Sequence, residues 1–316
     1  MAAPSLETKL CGITLRNPVL AASGTFGYGI EFADLVDLNC LGGIFTKGLS
    51  REPIAGNPAP RLWHTESGMM NSVGLQNVGV EAFIRQKLPQ LRRHRVPIFA
   101  NVFGYRAEDY VEVVRQLEDA EGVCAYELNV SCPNTEHGGI FFSNDPALLS
   151  DVVERVRLVA TRPLFVKLSP NVARIEPLAK AAESAGADAL SLVNTFVSLA
   201  IDVDTRTPRI GAGFGGLSGP AIKPIALRLV YEASQAVAIP IIGLGGIANG
   251  TDAAEFLIAG ASAVQVGTAS FIDPRAPLRV AQQLGRVLQR QKVAKVADLV
   301  GTLRFPHKQP QCKIKP

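Results

Sequence analysis

Short apolar runs recur along the whole chain and alternate with segments of helical periodicity. The runs are nearly continuous rather than alternating with polar residues, which is typical of strands buried on both faces of a parallel sheet. They predict eight strands, at Pro18–Ser23, Gly43–Lys47, Pro97–Val102, Tyr126–Ser131, Leu164–Leu168, Ala189–Asn194, Ile239–Leu244 and Ala263–Gly267.

Between the runs, apolar residues repeat at the spacing of one helix face, which predicts helices packed against a core. Gly186 and Gly260 lie where helix C-caps are expected, just before the sixth and eighth strands. Eight alternating units favour an α/β fold of the (β/α)8 TIM barrel type over an open doubly wound sheet. The helical stripes are Tyr110, Val113, Val114 and Leu117; Leu149, Val152, Val153 and Val156; Ile222, Ile225, Ala226, Leu229, Val230 and Ala233; and Leu278, Ala281, Leu284 and Leu288.

Two segments interrupt this rhythm within a predicted single domain, residues 1–316. Residues 48–79, rich in Pro, Gly and Asn, form an insertion after the second strand, and long insertions of this kind are usually lids or extra hairpins with a function. Residues 275–316 contain ten Lys or Arg and one Asp, so they form a basic surface or a docking segment.

Composition narrows the class of protein. The 316 residues are 47% hydrophobic and 19% charged, which is typical of a packed globule, and a net charge of +4 is too small to indicate nucleic-acid binding. No apolar run approaches the roughly 20 residues that span a bilayer, and no secretory signal pattern is present, so we expect a cytoplasmic protein without a membrane anchor. The five cysteines include no C-x-x-C pair, so neither a zinc site nor an iron–sulfur cluster is predicted, and we expect no metal.

Polar residues and glycines gather where the predicted strands end. In a barrel these ends meet at one mouth, where the chemistry of such folds takes place. The set comprises Ser23, Gly24, Thr46, Lys47, Asn101, Asn129, Cys132, Lys167, Asn194, Thr195, Gly245, Gly246, Gly267 and Thr268.

Three glycine groups suit a phosphate. Gly245–Gly246 and Gly267–Thr268 follow the seventh and eighth strands, and the group around Gly219 is expected to open the helix after the sixth. Glycine lets backbone N–H groups approach an anion closely, so these groups indicate a phosphorylated cofactor or substrate.

Cys132 differs from the other cysteines because it follows a strand end on a polar loop over the mouth. A thiol has an ordinary pKa near 8.5, so this residue is a candidate for moving a proton near neutral pH.

These residues lie in motifs that resemble the dihydroorotate dehydrogenase family, specifically the catalytic FMN subunit of its soluble bacterial NAD-linked branch (class 1B). The resemblance runs from about Asn17 to Ile272, and the tail after Asp273 matches poorly. The motifs are Ala22-Ser-Gly-Thr-Phe-Gly27, Gly56-Asn-Pro-Ala-Pro-Arg61, Asn71-Ser-Val-Gly-Leu-Gln-Asn77, Glu127-Leu-Asn-Val-Ser-Cys-Pro-Asn134, Val166-Lys-Leu-Ser-Pro-Asn171, Gly216-Leu-Ser-Gly-Pro-Ala221 and Ile242-Gly-Leu-Gly-Gly-Ile247.

The resemblance implies two sets of contacts in the barrel mouth. The FMN contacts would be Ser23, Lys47, Gly48, Asn101, Asn129, Lys167, Val193, Gly219, Gly245, Gly246, Gly267 and Thr268. The substrate contacts would be Lys47, Asn71, Val73, Gly74, Leu75, Asn129, Asn134, Asn194 and Thr195.

The resemblance also implies the reaction, the oxidation of dihydroorotate to orotate in de novo pyrimidine (UMP) biosynthesis. Cys132 would take a proton from C5 as general base, and the flavin would take a hydride from C6. A partner subunit with FAD and a 2Fe–2S cluster would pass electrons to NAD, in an assembly of two catalytic and two electron-transfer chains. Membrane-bound relatives have serine at the base position and an N-terminal helical arm, so that branch is disfavoured here.

Four alternatives stay open at this stage. Two are close: a fumarate-linked homodimer that needs no partner, and a dihydropyrimidine dehydrogenase subunit that shares the barrel, FMN and the cysteine. The others are a flavin-free barrel enzyme acting on a sugar phosphate and a non-catalytic scaffold subunit. Asn134 and the loop of Lys47 favour a substrate with a carboxylate over uracil.

Overall fold

The barrel is closed by eight parallel strands, each paired with the next in chain order and the eighth with the first. The computed structural model describes residues 3–130 and 140–306. Closure confirms the predicted (β/α)8 architecture over the open sheet. The strands, numbered first to eighth below, are Val19–Ala21, Gly43–Phe45, Ile98–Val102, Val123–Asn129, Leu164–Lys167, Ala189–Leu192, Ile241–Leu244 and Ala261–Val266.

Helices surround the barrel in the order that the periodicity predicts. The larger ones are Ala107–Glu118, Pro146–Arg157, Glu176–Ser184, Lys223–Ala236, Gly250–Ile258 and Ala276–Gln291. The shorter ones are Val80–Ala82, the π-helical Phe83–Lys87, Leu88–Leu91, Ile140–Asn144 and Ala269–Ile272, with 3₁₀ turns at Ile30–Phe32, Leu38–Cys40, Pro220–Ile222 and Val296–Leu299. No helix in these two described stretches is long and apolar enough to cross a membrane.

Most of the predicted helix signals are confirmed, with one error. Gly186 and Gly260 have φ of 99° and 118°, the left-handed backbone of a helix C-cap. Ile225, predicted to face the core, is instead exposed, whereas Ala226 and Leu229 of the same stripe are buried. The 3₁₀ turn Pro220–Ile222 precedes this helix and has fewer residues per turn, so the spacing of Ile222 to Ile225 does not follow one α-helical face.

The lower end of the barrel is filled by apolar side chains. An N-terminal hairpin, Thr8–Leu10 with Ile13–Leu15, places Leu10 and Leu15 in one buried cluster with Phe45, Phe99 and Phe165. The rings of Phe45 and Phe99 stack with centroids 4.7 Å apart. This packing closes the end opposite the strand carboxyl termini.

The insertion after the second strand forms half of an added sheet over the mouth. Its strands Leu62–Thr65 and Gly68–Asn71 pair antiparallel, and Gly68–Asn71 also pairs with Gly215–Ser218, which pairs with Phe196–Ser198. A small hairpin, Ile201–Asp202 with Thr207–Pro208, extends from the same region.

The prediction that the glycine group before Pro220 opens a helix is therefore wrong in part. Gly215–Ser218 is a strand, and the helix begins at Lys223. Glycine is depleted in strands, so the local pattern does not indicate one here. This strand depends instead on partners about 145 residues away in the chain.

Candidate active site

A pocket at the carboxyl ends of the barrel strands brings together every predicted cofactor and substrate contact that the structure describes. Thr46, also predicted at the mouth, is buried and does not line the pocket. Cys132 and Asn134 lie outside the described residues, so the roles predicted for them stay predictions, as do the individual roles of the others. The predicted residues that line the pocket are Ser23, Lys47, Gly48, Asn71, Val73, Gly74, Leu75, Asn101, Asn129, Lys167, Val193, Asn194, Thr195, Gly219, Gly245, Gly246, Gly267 and Thr268.

A polar layer crosses the barrel interior between the apolar cluster and the pocket. Each of its residues lies two positions after a cluster member on the same strand, so the side chains point inward. The pairs, cluster member first, are Phe99 and Asn101, Ala125 and Glu127, Phe165 and Lys167, Ala189 and Ser191, and Ala263 and Gln265.

Glu127 is the centre of this layer and is fully buried. Its carboxylate accepts hydrogen bonds from Asn101 Nδ2 at 2.6 Å, Ser191 Oγ at 2.6 Å and Gln265 Nε2 at 2.8 Å. The sequence analysis assigned no role to Glu127, Ser191 or Gln265. The available signal was polar residues at inward positions of otherwise apolar strands.

Lys167 rises from the polar layer to the pocket floor. Its side chain is buried, and Nζ donates a hydrogen bond to Ser23 Oγ at 3.1 Å. Burial lowers the pKa of Lys167, and the nearby Glu127 carboxylate opposes that shift. The amino group of Lys167 is therefore fixed on the pocket floor.

Lys47 supplies a second cation from the end of the second strand. Its backbone N–H donates to Gly27 O at 2.8 Å, which fixes the residue at the rim. The side chain is half-buried, and its pKa is lowered mainly by burial and further by the Arg61 charge, while Glu31 raises it.

Amide side chains form one wall of the pocket. Asn194 Nδ2 donates to Asn129 Oδ1 at 3.3 Å, and Asn71 Nδ2, from the added sheet, donates to Gly216 O at 3.3 Å. The buried hydroxyl of Tyr110 donates to Asn129 O at 2.9 Å and so holds the strand end in place. Such amides offer both donors and acceptors to a polar ring.

Glycines form another part of the pocket wall, where the chain after the sixth, seventh and eighth strands converges. Gly219, Gly245 and Gly246 have φ of 94°, 129° and 78°, and a Cβ on Gly246 would lie 2.7 Å from Gly219 O. The adjacent Thr268 Oγ1 donates to Ser218 Oγ at 2.8 Å. This arrangement leaves space for a group that approaches the backbone closely, as a phosphate does.

An ion-pair clamp fixes two helices behind this glycine wall. Lys223, at the start of its helix, contacts Asp252 Oδ1 at 2.6 Å and Glu255 Oε2 at 2.7 Å. Asn249 caps the second helix by accepting from Thr251 N at 2.9 Å and Asp252 N at 3.1 Å. The two helix starts therefore keep a fixed spacing beside the pocket.

A barrel with a buried cation on its pocket floor, amides on one wall and a glycine wall suited to phosphate is typical of enzymes that bind a phosphorylated ring cofactor. Comparison with known proteins specifies the class. The family model described as dihydroorotate dehydrogenase matches residues 5–288, so the chain belongs to the dihydroorotate dehydrogenase family. The predictions of this family and of an oxidoreductase acting on a CH–CH bond are confirmed.

Similar proteins carry two kinds of name. A protein of Solibacter usitatus named putative dihydroorotate dehydrogenase A (fumarate) is 70% identical over 302 residues, 96% of this chain and 99% of the relative. A protein of Citrifermentans bemidjiense named dihydroorotate dehydrogenase B (NAD(+)), catalytic subunit, is 52% identical over 305 residues, 96% of this chain and 100% of the relative. One of Pelobacter propionicus with the same name is 53% identical over 300 residues, 95% of this chain and 99% of the relative.

Proposed function

We propose that this chain oxidises dihydroorotate to orotate with FMN bound in the barrel pocket and Cys132 as the general base. The observation that carries the proposal is the buried Lys167 side chain on the floor of a pocket that also has a glycine wall suited to phosphate. FMN, when bound, supplies the acceptor for a hydride. The chain contributes the groups that bind, orient and deprotonate.

The described residues fit FMN at both of its ends. Gly219 and Gly246 have left-handed backbones, and a Cβ would lie 2.9 Å from Gly68 Cα at the first position and 2.7 Å from Gly219 O at the second. Neither position has room for a side chain, so the backbone is left open to a closely approaching group, which suits a phosphate. Lys167 would lie at the ring edge, where negative charge develops on reduction, and a fixed cation stabilises that charge.

The same pocket offers a site for a substrate with a carboxylate and ring amides. Lys47 would bind the carboxylate, and Asn71, Asn129 and Asn194 would hold the ring through paired donors and acceptors. Cys132 would then remove the C5 proton, and Asn134, two residues later in the chain, would contact the substrate ring. A positioned base contributes about 10²–10⁴-fold to such a step.

Electrons would leave through a partner subunit that contains FAD and a 2Fe–2S cluster and reduces NAD, in an assembly of two chains of each kind. The words "catalytic subunit" in the names of several relatives support this proposal. At the rim of the pocket Phe271 and Ile272 are 44% and 87% exposed, immediately before the basic segment from residue 275. An exposed apolar rim beside basic charge suits a docking partner.

A fumarate-linked homodimer is the second candidate, and the name of the 70% identical relative favours it. The segment after the sixth strand also carries exposed apolar side chains that a second copy would cover. These are Val197, Leu199, Ile201, Val203 and Phe214.

Assays of the purified chain test both candidates. We expect heat to release FMN, and we expect dihydroorotate, not dihydrouracil, to reduce the bound flavin. Release of FAD, or of no flavin, would contradict the proposed cofactor. Brisk NAD reduction by the isolated chain would refute the need for a partner, and brisk fumarate reduction would favour the second candidate.

A further inference from the structure

Glu127 is fully buried in the barrel interior, one layer below the pocket, and the proposed mechanism gives it no task. We propose that Glu127 is the counter-charge that keeps Lys167 protonated, and that it positions Lys167 and Asn101 for flavin reduction. Its part in flavin reduction rests on the proposed function, whereas the charge pair itself does not.

The surroundings of Glu127 are those of an anion. Three neutral donors, on the third, sixth and eighth strands, point at its two oxygens. A buried carboxylate is costly unless it is hydrogen-bonded and has an opposite charge nearby. Lys167 lies on the adjacent fifth strand, where it pairs with Asn129, two residues beyond Glu127 and on the same inward face, and it is the cation on which Glu127 acts. A buried ammonium has the same need, so each charge makes the burial of the other tolerable.

Glu127 also fixes which end of the Asn101 amide faces the pocket. Because Asn101 Nδ2 donates to Glu127 Oε2 at 2.6 Å, the amide oxygen is left for the pocket side. A Cβ on the pocket residue Gly48 would lie 3.0 Å from this Oδ1, which places the oxygen at the lining. Asn101 is thereby oriented as an acceptor for a ligand N–H.

The charge on Lys167 depends on few groups among the described residues. Glu127 of the fourth strand acts on it electrostatically, and Ser23, two residues after the first strand, accepts its hydrogen bond. Lys47 of the second strand lines the same pocket, but the charges that act on it are Arg61 and Glu31. Removing the Glu127 charge should therefore lower the pKa of Lys167 further.

Unfolding of the cofactor-free chain tests the charge pair directly, with Glu127→Gln compared against Ser191→Ala. Both remove a hydrogen bond of the layer, but only Glu127→Gln removes the charge. A lysine whose pKa is lower in the folded than in the unfolded protein destabilises the folded protein at low pH. That stability is regained as the pH rises through the folded-state pKa, because the lysine then loses its charge. The stability gap is here the difference in the free energy of unfolding between a variant and the wild type. We expect the gap for Glu127→Gln to narrow from pH 7 to pH 10 and the gap for Ser191→Ala to stay constant.

One further variant, a double substitution, makes the stability test decisive. Glu127→Gln combined with Lys167→Met removes both charges and should show no such pH dependence. If Glu127→Gln does not fold, this double variant should still fold. A pH-independent gap for Glu127→Gln, or failure of both variants to fold, would overturn the charge pair.

The rate of flavin reduction by dihydroorotate tests the consequence for the reaction. Loss of an opposite charge shifts a pKa by about 1–3 units, so in Glu127→Gln the alkaline fall in rate should begin at least one unit lower. Ser191→Ala and Glu127→Asp keep the charge, so their rates should fall at the same alkaline pH as the wild-type rate. The base Cys132 must lose its proton to act, so it controls the acid side of the pH–rate profile and does not affect this comparison.

The two experiments separate the possible failures. In Glu127→Gln the rate of flavin reduction could fall at the same alkaline pH as in the wild type while the stability gap still narrows. That result would overturn the role of Glu127 in flavin reduction but would leave the charge pair standing. Absence of any dihydroorotate oxidation in the wild type would refute the proposed function, and the unfolding measurement would still decide the pair.

Discussion

Replacing Gly246 by alanine should weaken cofactor binding in addition to lowering stability. The backbone there has φ of 78°, and the new Cβ would lie 2.7 Å from Gly219 O and 2.8 Å from Lys223 Cβ, where ordinary contact begins at 3.4 Å. One wall must therefore move by about 0.7 Å, because overlapping atoms repel steeply. The wall that moves is the one proposed to hold the phosphate.

The expected magnitude has two parts. A left-handed alanine costs about 1–2 kcal/mol, and crowding adds about 1–3 kcal/mol, so the free energy of unfolding should fall by about 2–5 kcal/mol. Loss of one hydrogen bond to a charged phosphate costs about 1.5–3 kcal/mol, which weakens FMN binding by about 10–100-fold.

Gly213→Ala is the matched control. Its φ is 85° and a Cβ there meets nothing within 4 Å. The free energy of unfolding of this variant should therefore fall only by the cost of a left-handed alanine, and its FMN affinity should equal that of the wild type. Urea unfolding measures the first quantity, and titration of cofactor-free protein with FMN, followed by flavin fluorescence, measures the second. A folded Gly246→Ala variant that binds FMN as tightly as the control would refute the phosphate assignment.

Three other variants test separate parts of the molecule. Cys132→Ala should slow stopped-flow flavin reduction by about 10²–10⁴-fold while orotate still binds, and near-normal reduction at neutral pH would remove Cys132 from the role of base. Lys47→Met should weaken orotate binding, and in the wild type orotate affinity should fall as pH rises through the lowered pKa of Lys47, because the carboxylate loses its cation; equal affinity in the variant would contradict this contact. Leu15→Ala should lower the free energy of unfolding by about 2–5 kcal/mol in urea by opening a cavity in the barrel base, and a loss below about 1 kcal/mol would mean that the hairpin does not fill the barrel.

The barrel and the location of its mouth were predictable because their signals are local. Continuous apolar runs give buried parallel strands, and the residue after each run then lies at the mouth for any barrel of this topology. Lys47, Asn101 and Gly245 could thus be assigned to one pocket without coordinates. Strand ends still shifted; the sixth was predicted to reach Asn194 and ends at Leu192.

Tertiary structure decided the features that depend on residues distant in the chain. Gly215–Ser218 becomes a strand only through its pairing with Gly68–Asn71, and two insertions thereby form one sheet over the mouth. The hydrogen-bond network of Glu127 forms only when barrel closure brings Ser191 and Gln265, 64 and 138 residues away, to its carboxylate. The sequence by itself determined where the eight strands lie and, to within two residues, where each ends, because buried parallel strands are continuous apolar runs. Which inward groups meet across the barrel depends on closure and stagger, and these are properties of the whole sheet.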